Sequence, residues 1–164
     1  MSDIYLVGFR FNSESENPDY YALTVCNDYD YYLCKNQNII LFDETKNAQK
    51  AFKLSDNLIH NFNSIPESVC YVYEISNAIY ILESENADFD SDIINCINAF
   101  GDILDSTGLT WPKLYRDQLY KIAEHLTFRD EFASFLEKEK ISRDLIIDSF
   151  MWSTGAMFTN ALFV

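Results

Sequence analysis

Apolar and polar positions alternate through residues 4–42 and predict a group of short β-strands. In the run 4–11, side chains at Tyr5, Val7, Phe9 and Phe11 share one face of a strand, while Leu6 points to the other. Polar loops and turn residues separate this run from further strand-like runs at 20–26, 29–34 and 39–42. Because the connections are short, we expect neighbouring strands to pair antiparallel.

After residue 42 the apolar spacing becomes helical. Asp43 is a suitable N-cap, and apolar residues recur at helical intervals from Ala48 to Phe62, which predicts one helix. Two more runs, 69–75 and 78–82, read as strands on either side of a Ser76-Asn77 turn. The pattern therefore predicts strands, one helix, and then strands again.

From residue 90 onward the apolar positions keep a helical period. We expect about four helices, with predicted caps at Asp90 or Ser91, Thr110, Thr127 paired with Asp130, and Ser142. Gly108 suits the end of the first of them, and Gly155 suits close packing in the last. The predicted fold is α+β: an N-terminal antiparallel β-sheet with one intervening helix, followed by a C-terminal group of about four helices. We expect one compact domain over 1–164, with a β-rich part at 1–89 and a helical part at 90–164.

The charge balance narrows the classes of partner. The chain has 164 residues with 48% hydrophobic and 16% aromatic content, and 26 acidic against 12 basic residues give a net charge of −14. Such a field repels nucleic acid and anionic membranes and attracts basic proteins, so we expect neither a nucleic-acid nor a membrane partner. Solubility alone also explains an acidic surface, and that alternative stays open.

The cysteines and the N-terminal residues indicate a reducing compartment. The four cysteines, Cys26, Cys34, Cys70 and Cys96, lie in apolar stretches without C-x-x-C spacing, so we expect buried free thiols. The first residues lack the basic region of a signal peptide, and no apolar run reaches membrane-spanning length. We therefore expect a cytoplasmic protein without a metal or another cofactor.

No nucleotide-binding, zinc-protease or nucleophile motif occurs in the sequence. The two histidines, His60 and His125, have no neighbouring residues that would form a catalytic motif with them. Asp88, Asp90 and Asp92 alternate as at the start of a calcium loop, but the glycine and the closing glutamate are missing. The sequence predicts no catalytic residue, and we expect a binding protein rather than an enzyme.

Two acidic stretches are candidate partner-binding sites. No Lys or Arg occurs between Lys53 and Lys113, and the middle of that interval carries a cluster of carboxylates: Glu83, Glu85, Asp88, Asp90 and Asp92. The second stretch interleaves carboxylates with tyrosines: Asp28, Tyr29, Asp30 and Tyr31. Tyrosine is a frequent interface anchor, and carboxylates complement Arg and Lys on a partner. The alternative is a solvated loop beside half-buried strand tyrosines.

Three segments of the helical half carry a family resemblance. They are IINCINAFGDIL at 93–104, LYKIAEHLTF at 119–128 and FMWSTG at 150–155. With the small, acidic, aromatic-rich chain, they resemble bacterial toxin-immunity proteins of the contact-dependent growth inhibition type. The resemblance implies a cytoplasmic protein that binds one cognate toxin domain, often a basic nuclease, and covers its active-site cleft. These families have no signature motif, so the resemblance assigns no individual residue.

Three other functions are compatible with the same residues. An acidic mimic of nucleic acid would inhibit a DNA- or RNA-binding protein through the same charge, but would bind several basic partners. An enzyme would require two of the carboxylates to converge in a pocket with shifted pKa values. A regulatory or structural domain with an incidental acidic surface would use none of these residues for binding.

Overall fold

The computed structural model describes residues 2–57, 59–62, 64–84, 91–129 and 131–164. Within these ranges the chain forms seven β-strands and six α-helices, with most strands in the N-terminal half and most helices in the C-terminal half. The predicted α+β class is confirmed. The strands are β1 (Asp3–Arg10), β2 (Tyr20–Cys26), β3 (Tyr31–Tyr32), β4 (Cys34–Lys35), β5 (Asn38–Leu41), β6 (Tyr71–Glu74) and β7 (Ala161–Phe163). The helices are α1 (Ala48–Leu54), α2 (Ile75–Glu83), α3 (Ser91–Thr107), α4 (Lys113–Phe128), α5 (Phe132–Glu139) and α6 (Arg143–Thr159).

The strands form two sheets that backbone hydrogen bonds join. The first has the order β3-β2-β1-β6 and the second β4-β5-β7. The backbones of Tyr21 and Phe42 exchange hydrogen bonds of 2.7 and 3.1 Å, which join the sheets. Two pairings, β1 with β6 and β5 with β7, are parallel, unlike the expected antiparallel arrangement. They are parallel because long connections through helices bring β6 and β7 back to existing sheet edges.

Strand β1 separates two hydrophobic cores. Val7 and Phe9 contribute to the larger core, which α2, α3, α4, α5 and α6 complete. Ile4 and Leu6 contribute to the smaller core, which β5 and α1 help to close. Burial on both faces explains why nearly every residue of this strand is apolar rather than every second one.

The predicted strand at 78–82 was wrong, because these residues belong to α2. Its buried residues Ile75, Ala78 and Leu82 follow helical spacing and pack against α3 and α6. A short apolar run is compatible with either period, and here the neighbouring helices decide. The first helix is also shorter than predicted, since a 3-10 turn (Thr45–Asn47) precedes α1 and α1 ends at Leu54.

The helix ends confirm two predicted caps and contradict three others. Asp43 caps no helix, since Glu44 precedes the 3-10 turn and Asn47 precedes α1. Ser142 caps α6, its Oγ accepting a hydrogen bond from the Leu145 backbone N–H at 3.1 Å, and Gly108 follows α3 with a φ of 72°. Thr110 caps no helix, since α4 begins three residues later, and Thr127 lies within the last turn of α4. The predicted partner of Thr127, Asp130, and the predicted cap Asp90 lie outside the described residues. None of the described helices has the length and apolar composition needed to cross a membrane.

All four cysteines are free thiols, but they are not all buried. Cys34 and Cys96 lie in the core, Cys26 is half-buried, and Cys70 is exposed just before β6. The prediction of burial was therefore wrong for Cys70, because its apolar neighbours in sequence belong to the end of an edge strand rather than to a buried segment.

Candidate protein-binding surface

The tyrosine-carboxylate stretch lies mostly at the surface. Asp28, Tyr29 and Asp30 occupy the loop between β2 and β3, and all three are exposed, Tyr29 to 82%. Tyr31 is half-buried as the first residue of β3 and hydrogen-bonds through its carbonyl to the Thr24 hydroxyl at 3.2 Å. The loop therefore presents one exposed aromatic ring between two carboxylates.

Two carboxylates of the acidic stretch 83–92 lie among the described residues, Glu83 at the end of α2 and Asp92 near the start of α3. Glu83 is exposed at the last residue of α2, and Asp92 lies in the first turn of α3, where its carboxylate accepts a hydrogen bond of 2.7 Å from the Asn77 amide. Glu85, Asp88 and Asp90 lie outside the described residues. A helical rise of 1.5 Å per residue separates Asp92 from Asp105 by roughly 20 Å along α3.

Asp30 approaches two carboxylates near the C-terminal end of α3. Asp30, Asp102 and Asp105 line one cavity of about 390 Å³ between α3 and the segment leading into α4. We call it the α3–α4 cavity; its other walls include Ile97, Asn98, Gly101, Leu104, Trp111 and Tyr120. Four of its residues, Asn98, Gly101, Asp102 and Asp105, share one face of α3 because they are spaced by three, four and seven positions.

Aromatic rings of Trp111 and Tyr120 form another wall of the α3–α4 cavity. Trp111 is only 5% exposed, and its indole Nε1–H donates a 2.7 Å hydrogen bond to the Ser153 hydroxyl of α6. Tyr120 is 59% exposed and packs edge-on against Trp111, with ring centroids 6.2 Å apart. A Cβ at Gly101 would lie 3.3 Å from the Trp111 ring, so glycine lets the indole approach α3 closely.

A second cavity adjoins the first. It has a volume of about 410 Å³ and shares Asp30 and Asp102 with the α3–α4 cavity. We call it the sheet cavity, since β1, β2 and β6 supply most of its walls, including Tyr5, Cys26, Tyr71 and Tyr73. Asp30 and Asp102 line both cavities, and we call the two cavities together the acidic groove.

Hydrogen bonds hold the acidic loop against α3. The Tyr32 backbone N–H donates to Ser106 Oγ at 2.8 Å, and the Cys26 thiol donates to Asp30 Oδ1 at 2.7 Å. The bond to Asp30, together with partial burial, raises the pKa of Cys26 to about 11. The thiol therefore stays protonated near neutral pH and acts as a donor, which fixes the position of the Asp30 carboxylate.

The groove brings three carboxylates together without a basic partner among the described residues. Burial, with additional repulsion from Asp30 and Asp105, raises the pKa of Asp102 to about 7. In the described part of the chain, no Lys or Arg pairs with any of these three carboxylates. The last turn of α3 also lacks a basic residue, so the negative end of the helix dipole adds to the field.

Asp30 was predicted from the sequence, but four other residues of the α3–α4 cavity were not: Asp102, Asp105, Trp111 and Tyr120. Trp111 is buried in the core, but its ring also lines the α3–α4 cavity. The signal available in the sequence was the Lys- and Arg-free interval 54–112, which contains all of α3. Asp102 and Asp105 are three residues apart on a helix and have no basic residue nearby in the sequence. This spacing indicates an acidic face of α3.

Neither histidine belongs to the groove. The ring of His125 stacks on Phe135 at 3.9 Å and its Nε2 lies 3.1 Å from the Glu131 carbonyl, while His60 is exposed in the loop after α1. Across the described ranges, no three His, Cys, Asp or Glu side chains converge in a way that would hold a metal ion. The chemistry that this surface offers is therefore that of carboxylates beside aromatic rings.

Comparison with known proteins identifies the fold only. No protein-family model matches the chain, and no curated protein matches it. The chain is similar to a solved structure described as the SatS C-terminal domain in complex with bromine, with a TM-score of 0.59 and 12% identity. The similarity covers 98% of this chain and 94% of that one. At this identity, the two chains share an architecture, and nothing about activity or partners follows.

Proposed function

We propose that this chain is a cytoplasmic immunity protein that binds and neutralises one cognate bacterial toxin, a basic nuclease domain, without catalysing a reaction. The acidic groove around Asp102 would cover the cationic cleft that the nuclease uses for nucleic acid. Like charges held together destabilise the free protein, and a cationic surface relieves that repulsion. The exposed ring of Tyr29 next to Asp30 would add an apolar anchor at the rim.

One observation carries this proposal: three carboxylates, Asp30, Asp102 and Asp105, converge on an aromatic-walled groove without an intramolecular cation among the described residues. A merely solvated acidic surface needs no cavity and no aromatic wall. The net charge of −14 strengthens the long-range attraction, which increases the association rate with a basic partner.

The test is co-expression with the product of the adjacent upstream reading frame. We expect a tight one-to-one complex to co-purify with the tagged chain and the host to survive. The variant Asp102→Asn/Asp105→Asn should lose most of the rescue, whereas Asp148→Asn, an exposed carboxylate on α6, should keep it. No complex and no rescue would contradict the proposal. Capture of several unrelated nucleic-acid-binding proteins would favour the nucleic-acid mimic instead.

A second candidate is an acid–base enzyme, and the pKa of Asp102 favours it. A carboxyl group that titrates near neutrality inside a cavity is typical of a general acid or base. The discriminating experiment is a hydrolysis screen with chromogenic glycosides and esters. Turnover that disappears in Asp102→Asn would establish the enzyme, whereas no turnover with intact toxin binding would support the immunity protein.

A further inference from the structure

We propose that the α3–α4 cavity receives one arginine side chain from a basic segment of the partner, with its guanidinium between Asp102 and Asp105 on one side and Tyr120 on the other. This inference rests on the proposed function and specifies the chemistry of the same surface. The occupant of the groove is a segment of a basic protein rather than nucleic acid or a small anion.

The arrangement of the two carboxylates favours a guanidinium. Residues three apart on a helix have Cβ atoms about 5–6 Å apart, so Asp102 and Asp105 present their oxygens side by side. A guanidinium offers five N–H donors in a planar fork and can bond to both carboxylates together, whereas an ammonium is a compact point charge. Asp30, which lines the same cavity from the β2–β3 loop, adds a third acceptor.

The aromatic wall formed by Trp111 and Tyr120 favours a flat cation. Tyr120 is mostly exposed at the cavity, and its ring is held edge-on by the buried Trp111. Arginine stacks on aromatic faces and is more weakly hydrated than lysine, so it loses less on entering such a site. The cavity volume of about 390 Å³ accommodates a whole side chain rather than a single ion.

The sheet cavity extends the contact to residues beside the arginine. Its tyrosines Tyr5 and Tyr71 are 39% and 40% exposed and line the same cavity as Asp102. An extended segment that places arginine in the first cavity would therefore lay its neighbouring apolar side chains on these rings. Charge complementarity and apolar contact thus point to one peptide segment along the groove.

The test uses ethylguanidinium as a probe of the arginine site and ethylammonium as its lysine-like counterpart. Two-dimensional NMR would follow the backbone amides and the Trp111 indole N–H during titration of the folded protein. We expect shifts concentrated at Gly101, Asp102, Asp105 and Trp111, with ethylguanidinium binding about three times more tightly than ethylammonium. Asp102→Asn should weaken the binding about tenfold, and Asp148→Asn should leave it unchanged.

The outcomes separate this inference from the proposed function. Shifts spread evenly over the acidic surface, or equal binding of the two cations, would overturn the arginine site. Because Asp105→Asn and Tyr120→Ala alter exposed side chains, they provide second variants if Asp102→Asn misfolds. Localised ethylguanidinium binding without growth rescue would reject immunity but keep the cation site. Rescue that survives all three substitutions would reject this site but keep immunity.

Discussion

The backbone N–H of Tyr32 donates a 2.8 Å hydrogen bond to the hydroxyl of Ser106, seventy-four residues later in the chain. The same hydroxyl donates to the Asp102 backbone carbonyl at 2.6 Å, so the Ser106 side chain hydrogen-bonds to a strand and to its own helix. This contact ties β3 to the last turns of α3. It therefore sets the distance between the loop that carries Asp30 and the helix that carries Asp102.

Ser106→Ala should destabilise the protein and loosen the groove. The substitution leaves the Tyr32 N–H without its acceptor, which costs about 1–2 kcal/mol of unfolding free energy. Urea denaturation monitored by circular dichroism would measure the loss. Ser64→Ala, at an exposed loop serine, is the control and should change little. Equal stability of the two variants would show that the Tyr32–Ser106 bond does not hold the strand to α3.

Ser153→Ala should disturb the aromatic wall through the indole of Trp111. The buried Nε1–H would lose its acceptor, at a cost of about 1–3 kcal/mol, and tryptophan fluorescence should shift. Ser149→Ala is the matched control, because Ser149 is also buried on α6 and also bonds within the helix, but does not contact the indole. A fluorescence change as large in Ser149→Ala would contradict this assignment.

Two glycines should respond oppositely to alanine. A Cβ at Gly8 would lie 2.5 Å from Cγ of Pro18, whose rigid ring cannot turn aside, so Gly8→Ala should cost about 1–3 kcal/mol. At Gly155 nothing lies within 4 Å, so Gly155→Ala should stabilise α6 by up to about 1 kcal/mol. The expected close packing at Gly155 was therefore wrong. Thermal melts would test both, and destabilisation by Gly155→Ala would contradict the second expectation.

Asp102→Asn should stabilise the free protein in a pH-dependent way. The pKa of Asp102 is raised in the folded state, so its contribution to stability is present at low pH and lost as pH rises through about 7. Asparagine does not ionise. After allowance for solvent screening, Asp102→Asn should raise the free energy of unfolding at about pH 8 by on the order of 1 kcal/mol. The melting temperature should rise by roughly 2–4 °C.

The gain from Asp102→Asn should shrink when the same melts are recorded at about pH 5, where the folded wild-type carboxyl is protonated. Cys26, Tyr32 and Tyr73 also face Asp102, but their pKa values are raised from ordinary values that already lie above this range, so they stay neutral throughout it. Asp148→Asn serves as the charge-matched control. If Asp102→Asn stabilised the protein equally at both pH values, the ionisation of Asp102 would not be what destabilises the folded wild type.

The fold class was predictable because the apolar periods of most elements are unambiguous. The residues of β1, β2, α3 and α6 follow the expected strand and helix patterns, and Ser142 and Gly108 mark helix ends by local chemistry. The short element at 78–82 was not predictable, since a run of five apolar residues fits the spacing of a β-strand and that of an α-helix equally well. The parallel strand β7 depends on an open edge of β5, which is a tertiary feature.

The candidate site was only partly predictable because distant segments build it. Asp30 was identified from its local sequence, but its position beside Asp102 depends on the contact of β3 with α3. Counting charges indicated an acidic surface centred on 83–92. The shape of the groove, the burial of Asp102 and the aromatic wall all arise from packing between elements that the sequence does not order in space.

The association rate with the toxin shows whether the groove carboxylates steer a basic partner. Stopped-flow mixing at about 50 mM and about 300 mM NaCl would compare the wild type with Asp30→Asn/Asp102→Asn/Asp105→Asn, since salt screens steering between exposed charges. We expect added salt to slow association of the wild type markedly, and we expect the variant to associate slowly with little further effect of salt. A wild-type rate that does not depend on salt, or a variant rate equal to that of the wild type, would show that the acidic groove does not bind a basic cleft.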